Sequence, residues 1–183
     1  MGVTKKVILG IDPGTVITGY GVISVKDKKP IVEVYGYLDL SKIADPYESL
    51  EKIFLRVTQL IDEYGVSELA IESQFFGKNV QSMLKLGRAQ GVAIAAAAVR
   101  KVSVFEYSPR KIKLAITGNG NASKEQVAGF LQKLIELKDL PDKLDASDGL
   151  AVALCHHYQA KVVSGSNYTD WKDFIKKHPD KLV

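Results

Sequence analysis

The sequence predicts an α/β fold, with a mixed five-stranded sheet flanked by helices. Three observations lead to this prediction: three strand-like segments come first, helical and strand-like segments then alternate, and further helices follow. At 183 residues the chain is long enough to bury a sizeable core as one domain. We expect one domain over residues 1–160 and a C-terminal tail over 161–183 with room for one short helix.

The first three strands are predicted to form an antiparallel meander. Residues 7–12 are an apolar run that ends in the turn Asp12-Pro13-Gly14. Residues 17–25 are rich in β-branched and small side chains, and residues 31–38 alternate between apolar and polar. Short connections between consecutive strands favour antiparallel pairing.

The middle of the chain alternates between helices and short strands. Apolar residues recur at helical spacing from Pro46 until the break at Gly65. Residues 68–72 are typical of a short buried strand, residues 80–99 of a long alanine-rich helix, and residues 102–107 of another strand.

Three further helices are predicted towards the C-terminus. One begins near Pro109, which is favourable in a first helical turn, and the next follows the capping residue Ser123 and runs to Leu134. The last helix is predicted to follow Pro141 and to end at about Gln159.

Composition excludes several classes of protein. The single cysteine, Cys155, cannot form an internal disulfide, and thiolate-ligated zinc would need more sulfur, so we expect a reducing, cytoplasmic location. The longest apolar run, residues 92–99, is far shorter than the roughly 20 residues that span a bilayer, and residues 1–6 contain no signal-peptide core. We therefore expect no membrane partner.

The net charge of +4 is unevenly distributed. Residues 1–72 carry a net −3, residues 73–124 a net +8, and residues 125–183 a net −1. The central segment, here called the basic block, holds one acid, Glu106, against nine cations: Lys78, Lys85, Arg88, Arg100, Lys101, Arg110, Lys111, Lys113 and Lys124. Clustered cations attract a polyanion such as DNA, but an ordinary solvated face is an equally good interpretation.

Four acids occupy positions that are unusual for surface residues. Asp12 and Glu72 each end an apolar strand, whereas Asp145 and Asp148 are three residues apart at the start of the last helix and share one of its faces. A carboxylate at the end of a buried strand is costly unless a cation satisfies it. Taken singly, each acid also has a plainer explanation as a turn cap or as a favourable charge at a helix N-terminus.

Oxygen ligands without a histidine or cysteine cluster suit Mg²⁺ or Mn²⁺ better than zinc. One or two such ions can activate a water molecule and stabilise the leaving oxygen in phosphodiester cleavage. The four acids together with the basic block therefore favour metal-dependent chemistry on a phosphate substrate.

Four segments of the chain, spread over about residues 7–158, resemble the RuvC family of crossover (Holliday) junction endodeoxyribonucleases. The similar segments are Ile8-Leu9-Gly10-Ile11-Asp12-Pro13-Gly14, Ala70-Ile71-Glu72-Ser73-Gln74-Phe75-Phe76, the stretch from Ser108 to Val127, and Asp145-Ala146-Ser147-Asp148-Gly149-Leu150-Ala151. They occur in the family's order.

This resemblance implies an RNase H-like fold and a homodimer that nicks two opposing strands of four-way junction DNA in recombination and repair. It implies that Asp12, Glu72, Asp145 and Asp148 bind Mg²⁺, with Mn²⁺ as a substitute and one or two ions per subunit. It also suggests a branch-migration complex as a partner.

The resemblance places the DNA-contacting residues as well. It implies that Phe75 stacks on bases at the junction, whereas Phe76 is more consistent with core packing. Lys113 and Lys124 fall on basic positions that contact DNA near the site. Lys78 and Arg110, which lie in or beside the similar segments, are candidates for the same role.

Several alternatives remain open at this point. Gly87, Gly91 and Ala95 recur every four residues along the long helix and form either a dimer contact or a packing face for the protein's own sheet. His156 and His157 are interpreted as helix-end residues rather than metal ligands. The turn Asp12-Pro13-Gly14-Thr15 fits an actin-like sugar or acetate kinase weakly, although 183 residues hold only one of the two domains such a kinase needs. A junction-binding module without catalysis is the remaining alternative.

Overall fold

The computed structural model describes residues 6–74, 79–135 and 145–165, and contains one sheet with helices on both faces. The strands are β1 (Lys6–Asp12), β2 (Ile17–Lys26), β3 (Lys29–Asp39), β4 (Glu68–Glu72) and β5 (Ser103–Tyr107). The helices are α1 (Pro46–Tyr64), α2 (Val80–Val99), α3 (Pro109–Thr117), α4 (Lys124–Leu134) and α5 (Asp145–Gly165). The predicted α/β class is confirmed.

The five strands form a mixed sheet in the order β3-β2-β1-β4-β5. β1, β2 and β3 pair antiparallel, as the short connections predict, while β1, β4 and β5 run parallel. The turn between β2 and β3 consists of Asp27 and Lys28, which both have positive φ, 50° and 63°, as a two-residue hairpin requires. The parallel strands place the ends of β1, β4 and β5 at one edge of the sheet.

Each face of the sheet covers its own hydrophobic core. Side chains alternate along the strands, so that Leu9 and Ile11 of β1 pack towards α1 and α2, whereas Ile8 packs towards α3, α4 and α5. β4 repeats the pattern, with Leu69 and Ile71 on the first face and Ala70 on the second. Even-numbered positions of β1 and β4 therefore face α5.

The ends of the helices agree with the sequence signals. Asp45 caps α1 through the backbone N–H of Tyr47, and Gly65 ends that helix with φ of 62°, which favours glycine. Ser123 and Gln126 form a capping box at the start of α4.

The last helix is longer than predicted. α5 extends to Gly165, six residues beyond Gln159, because the sequence contains no glycine or proline between residues 150 and 164 that would end it earlier. His156 and His157 therefore lie inside the helix and are buried, 3% and 4% exposed, so that their interpretation as helix-end residues is wrong. Cys155 is fully buried, as expected for a small apolar side chain.

None of the helices in the described ranges is both long and apolar enough to cross a membrane.

Candidate active site

Asp12 and Glu72 lie side by side at the carboxyl ends of two parallel strands. Asp12 directly follows Ile11 in β1, and Glu72 directly follows Ile71 in β4. Ile11 and Ile71 are opposite each other in the parallel pairing of these strands. Both occupy even-numbered positions, so their side chains are on the sheet face that α5 covers. The strand register thus places two carboxylates from distant parts of the sequence at the same sheet edge.

Glycine residues let α5 pack directly on the backbone of β1 and β2. A Cβ added at Gly21 would lie 2.6 Å from Cα and 2.7 Å from the backbone nitrogen of Leu150. Side chains added at Gly10 and Gly19 would also overlap the α5 backbone, and one added at Gly149 would overlap the backbone of Tyr20. We call these four glycines the glycine seam. The seam explains why glycine rather than alanine occupies position 149 and brings the first turns of α5 close to Asp12.

The seam places Asp145 and Asp148, both in the first turn of α5, within electrostatic range of the strand ends. Burial, followed by the negative charge of Asp148, raises the pKa of Asp12 to about 6. Burial and the charges of Asp12 and Asp148 raise the pKa of Glu72 to about 8. Burial also raises the pKa of Asp148. The carboxylates therefore repel one another in a poorly solvated site, a condition that a bound cation relieves.

Two lysines adjoin the carboxylates. The ammonium of Lys124 donates to Asp145 Oδ1 at 3.1 Å and to Asp148 Oδ2 at 2.6 Å. Burial disfavours the ammonium charge, but the hydrogen bond from Lys124 to Asp148 and the charge of that carboxylate outweigh it and raise the pKa of Lys124. The positive charge of Lys113 partly opposes the rise in the pKa values of Glu72 and Asp148, which places Lys113 near both carboxyl groups.

The donor atoms at this edge are carboxylate oxygens, the ligands that hard divalent cations prefer. Within residues 6–74, 79–135 and 145–165, no three or more His, Cys, Asp or Glu side chains are grouped closely enough to hold a metal ion. The ammonium of Lys124 lies between two of the candidate ligands. The residue types and the mutual repulsion of the carboxylates fit a divalent cation, and rotation of these side chains would be needed to bind it.

The other predicted DNA-contacting residues have different surroundings. Arg110 is exposed in the first turn of α3, where its side chain packs against Gly120. Phe75 and Lys78, and with them Phe76, lie outside the described residues.

The basic block does not form one uniform charged face. Arg100 is paired with Asp62, with nitrogen–oxygen distances of 2.6 and 2.7 Å, at the far end of α2. Lys111 lies over the ring of Tyr107 at 5.1 Å. These two cations belong to local contacts, whereas Lys113 and Lys124 adjoin the acidic edge.

Gly87, Gly91 and Ala95 form an exposed ridge on α2. Apart from the adjoining backbone of α2 itself, no atom of the described residues lies within 4 Å of a Cβ built at Gly87 or Gly91, and Ala95 is exposed. The residues of α2 that pack on the sheet are a different set, all buried: Ala89, Ala93, Ala96 and Ala97. The alternative that the ridge packs on the protein's own sheet is therefore wrong.

His156 belongs to a separate buried cluster. Its Nδ1 lies 2.6 Å from the Tyr107 hydroxyl and its Nε2 lies 2.5 Å from Glu68 Oε2, and Glu68 also pairs with Lys6. His156 is eight residues from Asp148, about 12 Å along the helix axis. Because both ring nitrogens are engaged, the histidine holds α5 against β4 and β5 and is not placed to ligate a metal at the acidic edge.

A fold of this topology, with acids at the ends of β1 and β4 and at the start of α5, defines an RNase H-like nuclease. A family model described as "Crossover junction endodeoxyribonuclease RuvC" matches residues 8–156. The chain belongs to the RuvC family of crossover junction endodeoxyribonucleases. The family that the sequence resembles is thereby confirmed, and the kinase alternative is wrong.

Relatives of the same description cover nearly the whole chain. The protein from Christiangramia forsetii is 56% identical over 98% of this chain and 94% of the relative, and that from Porphyromonas gingivalis is 51% identical over 100% of both. The structure of T. thermophilus RuvC in complex with a Holliday junction substrate is similar, with a TM-score of 0.80 and 32% identity over 87% of this chain and 97% of that one. The yeast mitochondrial Holliday junction resolvase Ydc2 shares the fold, with a TM-score of 0.65 at 16% identity over 93% of this chain and 83% of the other.

Proposed function

We propose that this protein is a metal-dependent endonuclease that resolves four-way DNA junctions by nicking two opposing strands symmetrically. The observation that supports this most directly is that Asp12, Glu72, Asp145 and Asp148 act electrostatically on one another near one sheet edge, beside two lysines, in a chain of the RuvC family. The role that follows is in homologous recombination and DNA repair. Because the related proteins come from bacteria, whose chromosome lies in the cytoplasm, we propose that this protein acts in the cytoplasm.

The four carboxylates would hold Mg²⁺, with Mn²⁺ as a substitute and one or two ions per subunit. When bound, such an ion lowers the pKa of water and offsets negative charge on the departing oxygen. Asp12 and Glu72 are fixed by the strand register, while Asp145 and Asp148 are fixed by the packing of α5 on the glycine seam. The two pairs of carboxylates would therefore hold the ion from two rigid parts of the fold, the sheet and α5, as a precise site requires.

The cations near the site would bind the negatively charged substrate. Lys113 is positioned to stabilise charge on the phosphate, since its own charge already acts on Glu72 and Asp148. Arg110 and Lys78 would contact the DNA backbone, and Phe75 would stack on junction bases. These roles are carried over from the family resemblance.

The enzyme would act as a homodimer. Two opposing strands are cut in a paired way only if two equivalent sites are related by a two-fold axis that matches the junction. The exposed ridge of Gly87, Gly91 and Ala95 offers a flat surface for close approach of the same helix of a second subunit. A branch-migration complex is a further partner, proposed on the family resemblance alone.

The proposal is tested with a synthetic four-way junction whose opposing strands carry different labels. With Mg²⁺, the wild-type protein should release paired nicks on opposing strands, and Asp12→Asn should bind the junction without cutting it. Asp27→Asn is the matched control, because it makes the same chemical change in an exposed hairpin turn and should cut normally.

Three results would contradict the proposal. They are equal cutting by wild type and Asp12→Asn, equal cutting of plain duplex and junction, and cutting in the presence of a chelator. Junction binding by the wild type without cutting in any divalent cation would instead favour the non-catalytic binding module.

A further inference from the structure

Lys124 occupies a position that connects two elements of the site. It is the first residue of α4, directly after the Ser123 cap, and its side chain reaches across to the first turn of α5. There its ammonium contacts both Asp145 Oδ1 and Asp148 Oδ2, at 3.1 and 2.6 Å. One cation thus neutralises part of the charge of two candidate metal ligands.

The charge of Lys124 acts on the whole carboxylate cluster. Besides its direct partners, it lowers the pKa values of Asp12 and Glu72, against the burial that raises both. A lysine side chain carries its positive charge at neutral pH. It therefore behaves as a resident counterion for the acidic edge.

A divalent cation held by Asp145 and Asp148 would draw on the same negative charges that this ammonium contacts. Lys124 already occupies one lone-pair site on Asp145 Oδ1 and one on Asp148 Oδ2, which leaves fewer sites on these carboxylates for a cation that takes oxygen ligands. The two positive charges would also repel each other. The side chain of Lys124 is 53% exposed, which leaves it free to rotate towards solvent or towards a phosphate group.

We propose that Lys124 competes with the divalent metal for Asp145 and Asp148, so that metal binding displaces its ammonium from these carboxylates. The lysine then sets the metal affinity of the site: it stabilises the carboxylate cluster without metal, and it weakens the binding of the ion. This inference rests on the proposed function only for the identity of the metal-binding residues.

The inference is tested by measuring Mn²⁺ and Mg²⁺ affinity calorimetrically on DNA-free protein. Lys124→Met keeps the length of the side chain and removes the charge, and it should bind Mn²⁺ about two- to fivefold more tightly than wild type, the size expected for losing one partly exposed ion pair. Lys133→Met, on an exposed position of the same helix, is the matched control and should leave the affinity unchanged.

Thermal unfolding provides a readout that is independent of metal calorimetry. In a chelator, Lys124→Met should melt at a lower temperature than wild type, because the carboxylates lose their counterion, and saturating Mn²⁺ should reduce the difference. Lys124→Gln, which retains polarity, serves as the second variant if the methionine variant does not fold. An unchanged or weaker Mn²⁺ affinity in the variant that folds would overturn the inference.

The outcome can be separated from that of the proposed function. Equal metal affinity in wild type and variant, together with normal junction cutting by wild type, would overturn only the role of Lys124. Absence of Mn²⁺ binding by both proteins would overturn the inference, and absence of junction cutting by wild type would in addition overturn the proposed function.

Discussion

Gly21→Ala tests whether the glycine seam sets the position of α5. The added Cβ would lie 2.6 Å from Cα, 2.7 Å from the nitrogen and 2.9 Å from Cβ of Leu150, whereas an ordinary contact begins at 3.4 Å. Restoring that distance requires α5 to move away from β2 by about 0.8 Å, or the strand to bend by as much, since two of the three atoms are backbone.

The energetic consequence follows from this overlap. Overpacking of a tight interior costs about 1–3 kcal/mol, and the smaller entropy of alanine in the unfolded chain returns about 0.4–1 kcal/mol. We expect a net loss of about 1–2 kcal/mol, which lowers the melting temperature of a chain of this size by about 2–8 °C.

Urea unfolding followed by circular dichroism measures the change in stability, with Gly129→Ala as the matched control. Gly129 lies within α4, and a Cβ there meets no atom within 4 Å in the described part of the chain beyond the adjoining helix backbone, so alanine should stabilise the protein by up to about 1 kcal/mol. The reasoning is refuted if Gly21→Ala is as stable as wild type while Gly129→Ala shows its expected gain.

Three further predictions concern individual side chains. Glu72 has a pKa of about 8 in the folded protein against an ordinary value of 4.5, so its ionisation costs stability progressively as the pH rises from about 4.5 to 8. Glu72→Gln should therefore raise the melting temperature of metal-free protein at pH 8 and leave it unchanged near pH 4. Arg100→Ala should leave junction affinity unchanged, because Arg100 is paired with Asp62. Lys113→Ala should weaken junction affinity and reduce the slope of log affinity against log salt concentration by about one, because Lys113 adjoins the acidic edge. His156→Leu should destabilise the fold by about 1–3 kcal/mol without altering Mn²⁺ affinity, because the buried Tyr107 hydroxyl loses its hydrogen-bond partner, whereas Glu68 keeps its ion pair with Lys6.

Each of these three predictions would be contradicted by a specific experimental result. A Glu72→Gln variant that is less stable than wild type at pH 8 would show that the charged carboxylate is satisfied, with exposed Glu51→Gln as the control. Equal loss of junction binding in the arginine and lysine variants would mean that the whole basic block contacts DNA. Loss of Mn²⁺ binding in a folded His156→Leu variant would place the histidine in the metal site.

Local signals in the sequence were sufficient to predict the elements of the fold. The bounds of β4 and α2 agree residue for residue with the prediction. Near neighbours determine both elements, because β4 is an apolar run between polar residues and α2 is an alanine-rich segment that follows an asparagine cap. The position of Asp12 and Glu72 at one sheet edge follows for a related reason, since both end strands of the sheet and parallel neighbours end at the same edge.

Contacts between distant residues were not predictable in the same way. The ion pair of Lys124 with Asp148 depends on how α4 and α5 cross, and the pairing of Arg100 with Asp62 depends on how α1 lies beside α2. Neither distance follows from periodicity. The glycine seam did leave a signal, because Gly19 and Gly21 alternate along β2 opposite Asp12 and Gly10, but its partner α5 becomes evident only in three dimensions.

The order of elements along the chain also affects when the protein can become a nuclease. The basic residues of α3 and the strands that carry Asp12 and Glu72 are synthesised before α5, which packs on β1 and β2 at the opposite end of the described sequence. A growing chain can therefore attract nucleic acid before it holds Asp145 and Asp148. With the proposed metal ligands, cutting would have to wait until the last helix packs on the sheet, so an incompletely folded chain would not cut DNA through this site.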